Sequence, residues 1–448
     1  MYEEINMDYN QYYKSLVCED FKTSIIDAKN EQKYIKSSTA QCHGYFVHTL
    51  FIPKMFSEEM VEFFQKSAQT MYKILEKVIT RYEEDSEYRK LFGFSKQLEE
   101  LILREKQYDC LLPVARIDIF YNEKDNTFKY CEFNADGASA MNEDRELNIA
   151  LSQTTAFKKF SQKYKVRTNE LFYSWAEEFI KIYKSSRKAK ENPHVAIVDF
   201  LNNERNYEFE QFQKTFEDMG ISCEICEITK LRYEGGKLLC ESGKQIDAIY
   251  RRAVTCDIMQ NYDKVIPFIN AAKDNAVCLI GDFRTQIIHN KIVFEVLHRE
   301  ETFAFLTDEE IAYVKEHIPH TQKLTKEAVE KNNVLAQKDK WVIKPEDSYA
   351  SKGVYAGVEF QDDSKWAQKV KESIGKSYLL QEYCTPFESE NIDLLHDENA
   401  TFRKYSNITG LFMYGGSLKG VYSRIAKNSI ISTQYSEMSL PTIIVGKK

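Results

Sequence analysis

Apolar and polar positions change their period several times along the chain. Between residues 57 and 84 apolar side chains recur at Met60, Phe63, Phe64, Met71, Ile74, Leu75, Val78 and Ile79, the spacing of a helix that buries one face. Ser57 ahead of Glu58 and Glu59 supplies an N-cap and an acidic first turn. The pattern predicts a mainly helical section over 1–110. Residues 114–121 and 127–134 then read as two strands joined by the polar turn at 122–126, within a section of 111–192. After Pro193 come a buried-type strand at 194–201, a helical stretch ending at Gly220, and strands at 221–228 and 246–250. Strand, helix, strand in that order predicts a parallel α/β unit over 193–281. Helical spacing returns from Asp282 to about Leu324, and 334–448 is strand-rich, so the last section runs 282–448. No internal repeat or low-complexity segment interrupts this order.

Composition narrows the picture. A chain of 448 residues with 43% hydrophobic and 29% charged residues can build two or three globular domains. A formal net charge of −8 argues against a general nucleic-acid or membrane-surface binder, because both need a basic face. No apolar run is long enough to span a bilayer. The acidic start, Met1 to Asn6, shows no secretory signal, and the expected location is cytoplasmic. The 10 cysteines are scattered, unlike a disulfide framework. Cys223 and Cys226 form one C-x-x-C, but no second pair or nearby histidine follows in sequence. Both read as strand thiols.

Five patterns carry possible chemistry. In 341–358 an apolar run ends at Lys344 and Pro345, and a small-residue loop with Ala350, Ser351, Lys352 and Gly353 precedes a second apolar run from Val354. A lysine closing a strand beside a loop that lets backbone N–H groups approach closely suits nucleotide phosphates, although a solvated lysine reads the same way. In Tyr378 to Tyr383, a strand followed by Gln381 and Glu382 offers backbone groups to an adenine edge and a carboxylate to ribose hydroxyls, or is an ordinary strand end. Lys291, closing Arg284 to Lys291, adds a second phosphate-binding charge or a surface one. Arg116 and Asp118 share one strand face, as do Glu132 and Asn134. Paired in a hairpin, they converge as a hard oxygen set suited to Mg²⁺, or as a plain Arg116–Glu132 salt bridge. Arg251 and Arg252 close a strand on opposite faces, so at most one serves a common site, where its guanidinium suits a carboxylate or acyl phosphate.

Taken in order, these segments resemble the ATP-grasp superfamily, and most closely its circularly permuted members and the related glutathionylspermidine synthetases. The resemblance is carried by Glu132-Phe-Asn134, the run from Ile246 to Arg252, Phe283 to Lys291, Lys344 to Val354, Gln381-Glu-Tyr383, Gly420 to Arg424 and Ser439-Leu-Pro441. It covers the chain from about Arg116 onward, with the Glu-x-Asn motif ahead of the lysines. It implies an α/β ATP-grasp fold in permuted order. It also implies an ATP-dependent ligase joining a small-molecule or peptide carboxylate to an amine through an acyl phosphate, with release of ADP and phosphate. By matching positions, Lys291, Lys344, Lys352 and Gly353 would hold ATP phosphates and Gln381 with Glu382 would form the nucleotide hinge. Asp118, Glu132 and Asn134 would bind Mg²⁺, and Arg116, Arg252 and Arg424 would lie at the reacting groups. Tyr349 and Lys352 stand where the glutathionylspermidine synthetases place an arginine, and Ala350-Ser351 stands where permuted members carry a Gly-Gly pair. What is implied therefore stops short of glutathione and spermidine as substrates. A phosphotransferase and a nucleotide-binding module without catalysis are the readings from other classes.

Overall fold

The structure is a computed structural model. It describes every residue except 1, 43–44, 203, 349–350, 398 and 432–436, and the backbone alone at 2–8 and 42. Helices Tyr2–Glu19 and Phe21–Ser37 open the chain. Helix Glu58–Glu84 begins where the Ser57 hydroxyl accepts the Met60 N–H at 3.2 Å, the N-cap its sequence predicts. Its apolar stripe is buried and packs on the molecule's largest sheet. The 1–110 section also contains strand Lys54–Ser57. That strand runs parallel to Thr442–Lys447, which pairs antiparallel with Tyr164–Arg167 on its other side.

The six-stranded sheet is antiparallel and joins distant parts of the chain. Hairpin strands Val114–Tyr121 and Phe128–Asn134 lie beside Phe402–Tyr414, Ser417–Ala426 and Met438–Leu440, with Glu388–Ile392 also on Phe402–Tyr414. Between these contributions the chain forms a four-stranded parallel sheet, in the order Cys278–Ile280, Ala248–Arg251, His194–Asp199, Ser222–Glu227. Helix Tyr207–Asp218 makes the crossover between two neighbouring strands, as the strand-helix-strand pattern predicts.

A second four-stranded sheet, antiparallel, is ordered Thr321–Lys323, Tyr378–Glu382, Trp341–Pro345, Tyr355–Ala356. Helical structure from Asp282 is broken into short pieces and ends at His317, before Pro319, so 321–323 is a strand rather than the end of a helix. Its role explains the difference: Thr321–Lys323 covers the far edge of strand Tyr378–Glu382, which would otherwise expose unpaired backbone groups. Among the described residues no helix is long and apolar enough to cross a membrane.

Candidate active site

The hairpin Val114–Tyr121/Phe128–Asn134 sets Arg116 opposite Asn134 and Asp118 opposite Glu132, so all four side chains share one face. The salt bridge that forms runs along the strand, not across it. Arg116 donates from Nε and Nη2 to the two Asp118 oxygens at 2.8 and 3.0 Å. Arg424, on strand Ser417–Ala426 one strand further along the sheet beyond Phe402–Tyr414, donates to Asp118 Oδ2 at 2.5 Å and to Glu437 at 3.3 Å. Asn134 bridges the carboxylates, its amide donating to Asp118 and to Glu132 at 3.2 Å each. Burial would raise the Glu132 carboxyl, but Lys291, Arg424, Arg116 and the Asn134 amide outweigh it and take it down to about 2, so Glu132 is ionised at neutral pH.

Two lysines face this hairpin. Lys291 sits in the turn between helices Gln286–His289 and Val293–Val296, its backbone N–H tied to the Glu346 carbonyl at 2.8 Å. Its ammonium donates to the Ser348 carbonyl at 2.5 Å and stands 3.9 Å from Glu132 Oε2. Lys344 closes strand Trp341–Pro345. Its ammonium donates to the Cys131 carbonyl at 3.3 Å and lies 4.9 Å from the Phe294 ring centre. Among the described residues it forms no ion pair, although the side chain is buried. Burial, with Lys291 nearby, pulls it down to about 8 despite the opposing influence of Cys131.

Strand Tyr378–Glu382 supplies the hinge. Gln381 is buried and donates to Thr321 Oγ1 at 2.7 Å, whereas Glu382 is exposed. The N–H groups of Glu382 and Tyr383 are spent on the carbonyls of His320 and Lys340, at 2.9 and 2.8 Å. They cannot serve as donors to a base, and the next N–H along the hinge is that of Cys384. Glu132, Lys291, Lys344, Gln381, Glu382 and Arg424 all line one cleft that opens to solvent. Its apolar wall is built from Phe120, Val342, Ala356, Ile408 and Ile431.

Other expected residues fall differently. Tyr349 and Ala350 lie outside the described residues. Ser351, with φ 53°, lines the cleft. Lys352 is exposed, and its charge acts on Asp257. Gly353 has φ +77°, and a Cβ there would meet Tyr378 Oη at 2.8 Å and Pro345 Cγ at 2.9 Å. It shapes the turn against strands Trp341–Pro345 and Tyr378–Glu382 rather than lining the cleft. Arg252 is not brought into the cleft. It pairs with Glu208 at 2.9 Å, donates to Tyr250 Oη at 2.8 Å and to the Ala138 carbonyl, while Arg116 donates to the next carbonyl, Ser139, at 2.9 Å. Arg251 takes the opposite face and pairs with Asp136 at 2.5 Å.

A glutathione synthetase-like effector (GSS30) from Globodera pallida, solved in apo form, superposes on this chain with a TM-score of 0.62 at 11% identity, covering 93% of this chain and 96% of that one. The fold is ATP-grasp-like. Weaker likenesses are to a candidate gamma-glutamylcysteine synthetase from Methylobacillus flagellatus KT (TM-score 0.43, 11% identity, 84% of this chain and 87% of that one) and a D-alanyl-alanine synthetase A from Vibrio cholerae (TM-score 0.28, 8% identity, 58% and 89%). No family model matches the sequence, and no curated protein does. Within this ATP-grasp-like fold, sequence reasoning missed Phe294 under Lys344, Thr321 locking Gln381, and the Cys131 and Ser348 carbonyls that hold the lysines. Phe294 stands three residues beyond Lys291, Cys131 directly precedes Glu132 and Ser348 lies within the segment from Lys344 to Val354; that these segments meet one another and Thr321 is what one sequence does not signal.

Proposed function

We propose that the protein is an ATP-dependent carboxylate–amine ligase that forms an amide or peptide bond through an acyl phosphate, releasing ADP and phosphate. One observation carries this reading: a single cleft gathers two buried lysines, an apolar wall, a hinge strand and an ionised carboxylate. The apolar wall fits an adenine ring, with the exposed Glu382 beside it for ribose hydroxyls. Lys344 fits a phosphate because, among the described residues, its buried ammonium meets a neutral carbonyl and a ring face and forms no ion pair, and an anion would relieve that cost.

Glu132 and Asn134 are the oxygen donors that fit Mg²⁺, which when bound neutralises charge on the phosphate oxygens. Asp118 has both oxygens engaged by guanidinium groups, so its part is to aim Arg116 and Arg424 at the reacting phosphoryl group. Lys291 and Lys344 hold the transferred phosphate in line with the attacking carboxylate, and the two arginines stabilise the charge that develops. An amine then displaces phosphate from the acyl carbon. The substrates are a small-molecule or peptide carboxylate and an amine, and an ATP-consuming reaction suits the cytoplasm.

The chain order, with Glu132-Phe-Asn134 ahead of Lys291 and Lys344, supports a place among circularly permuted members related to glutathionylspermidine synthetase. Incubation with ATP, Mg²⁺ and a metabolite pool, followed by phosphate detection and mass spectrometry, tests the reading. The expected result is amine-dependent release of ADP and phosphate with a condensed product; AMP and pyrophosphate as stoichiometric products would overturn it.

A further inference from the structure

The parallel sheet carries a second group of polar side chains that the cleft does not use. Along the edge strand Ser222–Glu227, residues Ser222, Glu224 and Cys226 fall on one face. His194 begins the neighbouring strand in register with Ser222 and shares that face. After the edge strand the chain forms the small hairpin Arg232–Glu234/Lys237–Leu239 and returns over the same face, where Cys240 packs in one core with Cys226, Leu238 and Ile246. Cys223 takes the opposite face, in the core with Phe212 and Phe216. The C-x-x-C pair is therefore split, and its second cysteine meets partners from two other segments.

The imidazole Nε2 of His194 lies 3.5 Å from Cys240 Sγ and 3.8 Å from Glu224 Oε2. These three atoms all lie within 4.8 Å of one another. Cys226 Sγ is 3.3 Å from Cys240 Sγ. Cys240 is fully buried, Cys226 and His194 nearly so, and Glu224 is partly covered. A nitrogen-to-oxygen separation of 3.8 Å is too long for a hydrogen bond, so packing of that pair is not explained by hydrogen bonding. Zinc, at ~2.0–2.3 Å from nitrogen, oxygen and sulfur ligands in tetrahedral geometry, sets its ligands about 3.3–3.8 Å apart. The polar surroundings are those of a metal site. Ser222 Oγ is 2.9 Å from His194 Nδ1, and in the tautomer that donates this hydrogen bond the Nε2 lone pair faces Cys240 and Glu224. Ser242 donates to Glu224 Oε2 at 2.7 Å and orients the carboxylate.

We propose that His194, Glu224 and Cys240 bind a zinc ion, with Cys226 completing a four-ligand site. Thiolate and imidazole ligands favour zinc over magnesium, which keeps this site chemically distinct from the cleft. Binding releases the two thiol protons to solvent. The ion would staple the excursion between the edge strand and strand Ala248–Arg251 onto the sheet, on an element where no ligand of the cleft sits.

The full chain, free of any polyhistidine tag and kept reduced, tests this by metal analysis, by zinc titration against a competing chelator, and by cobalt substitution. The expected results are one zinc per chain, a thiolate-to-cobalt charge-transfer band in the wild-type protein, loss of zinc in Cys240→Ser and His194→Ala, and weakened binding in Cys226→Ser. Circular dichroism verifies that each variant is folded, and the cobalt band needs no variant. Reduced wild-type protein that takes up neither zinc nor cobalt would overturn the proposal, as would wild-type zinc affinity in Cys240→Ser. A chain isolated with a Cys226–Cys240 disulfide and no zinc affinity after reduction would overturn it too.

Discussion

Two groups of buried cations in this molecule are treated in opposite ways. Beside the parallel sheet, Arg251 pairs with Asp136 at 2.5 Å, Arg252 with Glu208 at 2.9 Å and Arg104 with Asp282 at 2.6 Å, and backbone carbonyls take further guanidinium donors. Each charge is compensated within the fold. In the cleft, Lys344 has a carbonyl and a ring face, and Lys291 has two partners of which the carboxylate stands 3.9 Å away. A charge withdrawn from water and left without a counter-ion opposes folding. The arginines belong to the architecture; Lys344 carries a cost that a bound polyanion would remove. The contrast also explains why Arg252, an attractive candidate from its position at a strand end, takes no place in the cleft.

Removing one carboxylate from the compensated group gives the largest expected effect. Asp136→Asn leaves Arg251 buried without its partner and should lower stability by ~3–5 kcal/mol in chemical denaturation, while the protein that remains folded binds ATP as before. Lys344→Met, in the other group, should do the reverse. Turnover falls by roughly 10²–10³-fold, and the melting temperature without nucleotide stays level or rises because an unpaired charge has left the interior. If Lys344→Met destabilised the protein as Asp136→Asn does, Lys344 would belong with the architecture.

Glu132→Gln sharpens the boundary between the groups, since Glu132 touches both a lysine and the arginine-bearing hairpin. Loss of the carboxylate should lower apo stability somewhat, because the folded state holds the carboxyl at about 2; for a magnesium ligand it should also abolish turnover and raise the Mg²⁺ requirement. A destabilised variant with a normal magnesium response would make it a structural partner instead. The smallest effect is expected at Gly353→Ala, where the positive φ and the approach to Tyr378 Oη should cost ~1–2 kcal/mol. An unchanged denaturation midpoint would show that the turn has room to relax.

Much of this arrangement was legible in the residues. Strand Val114–Tyr121 has the bounds its alternation predicts, Ser57 caps its helix, and the strand-helix-strand order marks the parallel unit. Lys291, Lys344, Glu132, Gln381 and Glu382 were each visible as motifs, Arg424 only through the family resemblance, and all six line one cleft. What the residues did not disclose depends on register and on long-range packing. Alternation placed Arg116 and Asp118 on one face, but only the order of strands in the sheet shows that Arg424 reaches across Phe402–Tyr414 to engage Asp118. Strand Thr321–Lys323 is too short for a period to distinguish it from the helices before it. His194 and Cys240 are far from Cys226 in sequence, so the C-x-x-C pair gave no sign of the histidine that the parallel register sets beside it.

The central claim is that Lys344 is an unpaired ammonium awaiting phosphate, and its protonation provides the direct test. In the folded apo protein it titrates near 8, against ~10.4 for a free lysine. Below pH 8 it is charged in both states and its burial cost is fully present. As pH rises from about 8 to about 10.4 the folded state sheds the proton that the unfolded chain keeps, and the cost fades. A phosphate restores the charged form, so ATP binding above pH 8 must take up a proton. Calorimetric titration of Mg²⁺-ATP at about pH 9, in two buffers of different ionisation enthalpy, measures that uptake. The account predicts uptake approaching one proton at this pH, little at neutral pH, and none at either in Lys344→Met; ATP binding by the wild-type protein without proton uptake, or no binding at all, would contradict it.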